Sequence, residues 1–138
     1  MIGRSSVLLA LALLTLGACR SPTFAVESRE IPVHVWLSAP ELLAQGGTIQ
    51  ARVVVDCQEL VCGPVRFPPC TPNIALSTVY LSCGQHRVTV ELDGGKRRTS
   101  GTVTIGEESW VLITVTQGGI GIEALDEEPL APKCKGLT

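Results

Sequence analysis

The sequence predicts an all-β domain, a small antiparallel β-sandwich of about seven strands. Three observations carry that expectation. From residue 31 onward apolar and polar side chains alternate with period two, as in Val33, Val35 and Leu37 against His34, Trp36 and Ser38. Glycine pairs at 46–47, 94–95 and 118–119 punctuate the chain at turn-like intervals. No stretch of useful length between them carries a helical period, and short strands with Gly-rich turns are the pattern of a sandwich.

The strands follow in order. The first is the alternation at 33–38. Pro40 and Gly46-Gly47 bracket Glu41-Leu42-Leu43-Ala44, a segment too short for a full helix. Ile49, Ala51, Val53 and Val55 then place one face inward against Gln50, Arg52 and Asp56. Residues 57–75 hold three cysteines and four prolines and read as irregular, with Val65-Arg66-Phe67 as a short edge strand, because proline donates nothing to a ladder. A brief strand is expected at 78–81, then a clean alternation at 87–92. Asp93-Gly94-Gly95 is a hairpin signal, answered by a strand with Val103 and Ile105 inward. Residues 110–115 are apolar on both faces near their start, which suits a central strand, and 120–122 add a last short one. The domain is therefore expected over 30–125, followed by a mobile acidic, proline-containing tail over 126–138.

The first 18 residues have another purpose. Arg4 supplies a positive start, residues 7–16 are apolar apart from Thr15, and Gly17-Ala18 are small: the three parts of a secretory signal. The apolar run is well short of the ~20 residues that span a bilayer. Leu16-Gly17-Ala18-Cys19 resembles the bacterial lipobox, four residues placed directly after the apolar run. That resemblance implies a diacylglyceryl group on the Cys19 thiol, cleavage before Cys19, acylation of the new amine, and a bilayer as partner. Two or three acyl chains, at ~0.8 kcal/mol per buried methylene, hold a protein where one holds it only marginally. Arg20 and Ser21 follow. In the Gram-negative lipoproteins this resembles, an Asp after the Cys retains the protein in the inner membrane, so its absence leans toward the outer membrane. Residues 19–29 then form the lipidated N-terminus and tether.

The stretch Leu81-Ser82-Cys83-Gly84-Gln85-His86-Arg87-Val88-Thr89-Val90, with Val103-Thr104-Ile105 and Trp110-Val111-Leu112-Ile113, is similar to small carbohydrate- or protein-associated modules of the prealbumin-like and PEGA types. The similarity implies a fold and no activity.

The chain of 138 residues suffices for one domain. Without residues 1–18 it carries 10 basic and 13 acidic side chains, a formal charge of −3 that gives no nucleic-acid footprint. The Lys96-Arg97-Arg98 cluster beside the hairpin reads as a solvated tip. If Cys19 carries lipid, Cys57, Cys62, Cys70, Cys83 and Cys134 remain, an odd number. In an exported protein their default is disulfide. Gaps of four, seven and twelve residues between the first four lack the two close pairs of a zinc site, so no metal or other cofactor is expected. Fifteen ways of drawing two bridges exist. The preferred one joins Cys57 to Cys62 across a turn and Cys70 to Cys83 in a 14-residue ring worth about 3 kcal/mol. Cys134 is then the free or intermolecular thiol on the tail.

Little catalytic chemistry is visible. Cys83 and His86 at i and i+3 on an extended chain lie ~10 Å apart on opposite faces, too far for proton transfer. Trp36, sharing a face with His34 and Ser38, is either core or an exposed ring for a sugar or a partner; a lone Trp in a strand is assigned to the core first, with the contact role as its alternative. The expected function is a membrane-anchored, non-catalytic binding or assembly module of the cell envelope, docking on an envelope protein. A surface ligand- or glycan-binding protein is the alternative, and a thiol-dependent enzyme using Cys83 comes last.

Overall fold

The computed structural model describes residues 29–130 and Cys134. The signal, the lipobox and residues 19–28 of the tether lie outside the described residues. Eight strands run in order: β1 (Glu30–Ser38), β2 (Gly47–Val55), β3 (Gln58–Phe67), β4 (Asn73–Ser82), β5 (Gly84–Leu92), β6 (Arg97–Ile105), β7 (Trp110–Thr116) and β8 (Gly119–Leu125). They form two four-stranded sheets, ordered β4-β1-β7-β8 and β3-β2-β5-β6, so the expected seven strands become eight among the described residues. The segment 41–44 contributes only a 3-10 turn over Pro40–Leu42.

Period-two alternation explains the core. Val33, Val35 and Leu37 of β1 and Val111, Ile113 and Val115 of β7 point inward from one sheet. Val53 and Val55 of β2, Val88, Val90 and Leu92 of β5, and Val103 and Ile105 of β6 meet them from the other. At full burial each such side chain contributes on the order of 1.5–3 kcal/mol. Valine dominates because a β-branched side chain suits the pleated surface. Among the described residues Phe67 is the one fully buried aromatic ring.

Three departures from the expected strands have physical causes. Strand β3 is ten residues long although Pro64 lies within it. It stands at the edge of its sheet, with a neighbour on one side only, the position where a strand tolerates proline. Strand β4 likewise extends over ten residues instead of four, with a register shift opposite Val35 and Trp36. The sandwich is also not wholly antiparallel: β1 and β7 pair in parallel, from His34 opposite Trp110 to Ser38 opposite Thr114. Residues 106–109 carry the chain from β6 of one sheet to β7 of the other, and the five strands between β1 and β7 form the long connection that a parallel pair needs.

The loops at the β1 exit are tightly stitched. Ala39 N–H donates to Pro72 O at 2.8 Å, and Cys70 N–H to Leu43 O at 2.6 Å. Gly46, at φ +71°, passes so close that a Cβ there would sit 2.4 Å from Phe67 O; only glycine fits. The Lys96-Arg97-Arg98 tip is only partly solvated. Arg97 is half-buried and donates to Thr116 O of the other sheet, while Arg98 pairs with Glu91 at 3.6 Å.

Candidate functional site

The two outer faces differ in chemistry. On the β3-β2-β5-β6 sheet the outer face is charged: Arg52 lies 3.8 Å from Glu59 and 3.5 Å from Glu91. Thr89 and Ser100 bond each other across β5 and β6. This is an ordinary solvated surface, and its exposed ion pairs are worth little.

The β4-β1-β7-β8 sheet presents rings instead. His34 and Trp36 alternate with the buried valines of β1 and so face outward, which corrects the assignment of Trp36 to the core. The parallel pairing of β1 with β7 sets Trp110 beside His34, with ring centroids 5.8 Å apart and tilted by 39°. His34 N–H donates to Ser109 O and Ser109 N–H to Leu125 O, which fixes the start of β7 between its neighbours. Across β4, His34 Nδ1 and Thr78 Oγ1 are 2.8 Å apart, which holds the imidazole in place. A groove of about 330 Å³ lies over these rings, bounded on one side by Ala75, Leu76, Ser77 and Thr78 of β4 and on the other by Trp110. That volume is at the lower end of pockets that hold small ligands, ~300–1,000 Å³.

The C-terminal segment reaches across this face. Strand β8 ends at Leu125, opposite Trp110, at one edge of the sheet. Glu128 then lines the groove beside His34 and Thr78. Leu130 O accepts a hydrogen bond from Asn73 Nδ2, 3.3 Å, at the start of β4 on the opposite edge. Cys134 is disulfide-bonded to Cys70, with Cα atoms 5.4 Å apart. The described points of the tail thus form a strap from the β8 edge to the β4 edge, over the aromatic groove.

That bond overturns the expected cysteine pairing. Cys134 is not the free thiol, and Cys70 does not pair with Cys83. Ten residues of β4 separate Cys70 from Cys83, about 30 Å of extended chain, against the ~4.4–6.8 Å between Cα atoms that a disulfide allows. Cys83 is an exposed free thiol, as is Cys62. Cys62 lies on β3 opposite Arg52 of β2, five residues beyond Cys57 in the β2–β3 turn, and the expected Cys57–Cys62 bridge is also absent. A hydrogen bond to the Glu59 carboxylate, then its negative charge, raises the pKa of Cys62 above the ordinary thiol value and keeps it protonated.

Cys83 has no base within reach in His86. The imidazole Nε2–H donates to Ser82 O at 2.7 Å, and Nδ1 faces Asp56 Oδ2 at 2.8 Å, so both ring nitrogens are engaged. Asp56 Oδ1 also accepts from Arg87 N–H at 3.0 Å. Asp56, at φ +54° in the β2–β3 turn, and His86 therefore act as a latch between that turn and β5. The Cys83 thiol instead points to Gly106 O at 3.8 Å.

Trp36 was legible as a contact candidate; Trp110 and Glu128 were not singled out. The parity of Trp110 against Val111 and Ile113 already turns it outward, but its place beside His34 needs the parallel register. Nothing in the acidic tail marks Glu128. Among the described residues no group of three or more His, Cys, Asp or Glu could hold a metal ion, and no helix is long and apolar enough to cross a membrane. Compared with protein-family models, with curated proteins and with solved structures, the chain matches none.

Proposed function

We infer that the protein is a lipid-anchored, non-catalytic binding module of the bacterial cell envelope, and that the strapped groove over His34, Trp36 and Trp110 is its binding seat. The observation that carries this reading is the contrast between the two outer faces. One sheet turns ion pairs to solvent, whereas the other turns two indoles and an imidazole into a concave surface under a disulfide-held strap. Aromatic rings converging with a few polar groups in a concavity are the usual make-up of a ligand site. The anchor rests on the lipobox resemblance of Leu16-Gly17-Ala18-Cys19 and favours the outer membrane. A tether of about ten residues spans at most ~35 Å, which keeps the β1 entry end of the sandwich near the bilayer. The prealbumin-like reading of the fold is supported by the two four-stranded sheets, and it adds no activity.

Docking on an envelope protein is the second reading, and a specific observation favours it. Tyr80 on the edge strand β4 is 64% exposed and Leu130 on the strap is 90% exposed, both large apolar side chains left to solvent. In-cell photo-cross-linking tests the groove directly. A photoreactive amino acid at Thr78, on the groove, gives an adduct in the full-length lipidated protein that Trp36→Ala abolishes. The same probe at Thr102, on the charged face, gives none. Equal adducts from both positions, or none from Thr78, would remove the groove as the seat.

A further inference from the structure

We propose that the groove takes an organic cation, an ammonium head group such as a quaternary amine, with Glu128 as its counter-charge and the two indoles as its walls. This rests on the groove being a binding seat and names the chemistry of its occupant. Among the described residues that line it, Glu128 carries the one formal charge, and no Lys or Arg is present. The remaining walls are the rings of His34, Trp36 and Trp110, the hydroxyls of Ser77 and Thr78, and the aliphatic Ala75 and Leu76. An indole carries a negative π face and is the best aromatic partner for a cation, through its quadrupole.

The geometry separates a cation from the competing chemistries. An anion would meet Glu128 at close quarters with no basic side chain to offset it. A purely apolar occupant would desolvate the same carboxylate without a partner, which is costly. A cation satisfies the carboxylate and the rings together. The His34 ring is held by Thr78 and stands beside Trp110, so it forms a static wall of the groove. The strap supplies Glu128 between Leu125 and the Asn73-bound Leu130, and the Cys70–Cys134 bond fastens that strap beyond it. The volume of about 330 Å³ suits a compact head group better than an extended polymer.

Both tryptophans of the chain line the groove, so intrinsic fluorescence reports on it without a label. Full-length lipidated protein in polyoxyethylene-detergent micelles is titrated with choline, with its uncharged carbon isostere 3,3-dimethylbutan-1-ol, and with N-acetylglucosamine. Choline is expected to give a saturable change, and the isostere to bind about tenfold more weakly. Glu128→Gln, an exposed position where folding is safe, lowers choline affinity several-fold and leaves the isostere unchanged, with near-ultraviolet circular dichroism as the control for fold. Equal binding of choline and the isostere, or choline binding unaffected by Glu128→Gln, overturns the proposal. Saturation by N-acetylglucosamine alone, lost in Trp36→Ala, overturns the cation while leaving the groove as a seat. Silence toward all three overturns the cation proposal, and the cross-linking experiment then judges the groove by itself.

Discussion

Replacing Cys134 with Ser releases the strap and opens the covalent loop that the Cys70–Cys134 bond closes. The bridged residues are 64 apart. In the chain-entropy model a loop of that length is worth about 4 kcal/mol, since closing it removes many conformations from the unfolded chain. A domain of this size has a net stability of only ~5–15 kcal/mol, so the loss is a large fraction of the total. With a urea slope of ~1–3 kcal/mol/M, the midpoint should fall by about 1–4 M. Cys70→Ser should fall equally, and the double variant no further, because one bond is lost in each case. Cys83→Ser should leave the midpoint where it was. Equilibrium urea denaturation under non-reducing conditions, followed by tryptophan fluorescence, measures all four. An unchanged midpoint for Cys134→Ser, or a fall for Cys83→Ser, would refute the assignment of the bridge. The same release should weaken whatever binding depends on Glu128, since the strap carries it.

Other expectations follow from the core, the thiols and the anchor. Val90→Ala and Ile113→Ala, each fully buried, should destabilise by about 1–4 kcal/mol through lost burial and a residual cavity, whereas the exposed Arg87→Ala and Thr102→Ala should cost little in the same denaturation assay. Glu59→Ala removes both the hydrogen bond and the charge that raise the Cys62 pKa, so the thiolate forms at lower pH. Alkylation of Cys62 near pH 8, followed by peptide mass spectrometry, should accelerate; an unchanged rate would show that Glu59 does not control the thiol. Cys19→Ala should abolish metabolic incorporation of a fatty-acid analogue, and equal label in wild type and variant would remove the lipoprotein reading.

Much of the sandwich was legible because its signal is local. Val33, Val35 and Leu37, and later Val88, Val90, Val103 and Ile105, show their inward face by parity alone, and Asp93-Gly94-Gly95 marks its turn by chemistry. Strand β3 was hidden because proline argues against a strand only where an N–H must pair, and sequence does not tell an edge from a centre. The β1–β7 pairing joins residues more than seventy positions apart, and no local pattern encodes it. Trp110 came to lie beside His34 through that pairing. Parity had already turned Trp36 outward; the rarity of exposed Trp pulled the other way. The cysteine pairing failed because short loops were preferred on sequence distance, while the fold places Cys70 and Cys83 at opposite ends of β4 and brings the tail across the sheet to Cys70.

The central claim is that the aromatic outer face is the working face of this protein in its native envelope. Oxidative footprinting of Trp36 and Trp110, in intact envelopes and in the purified full-length protein in detergent, tests it most directly. Both indoles are half-buried in the protein alone, so they start accessible enough to label. An occupied groove predicts lower oxidation of both in envelopes, restored on purification. Equal oxidation of Trp36 and Trp110 in the two settings would contradict it.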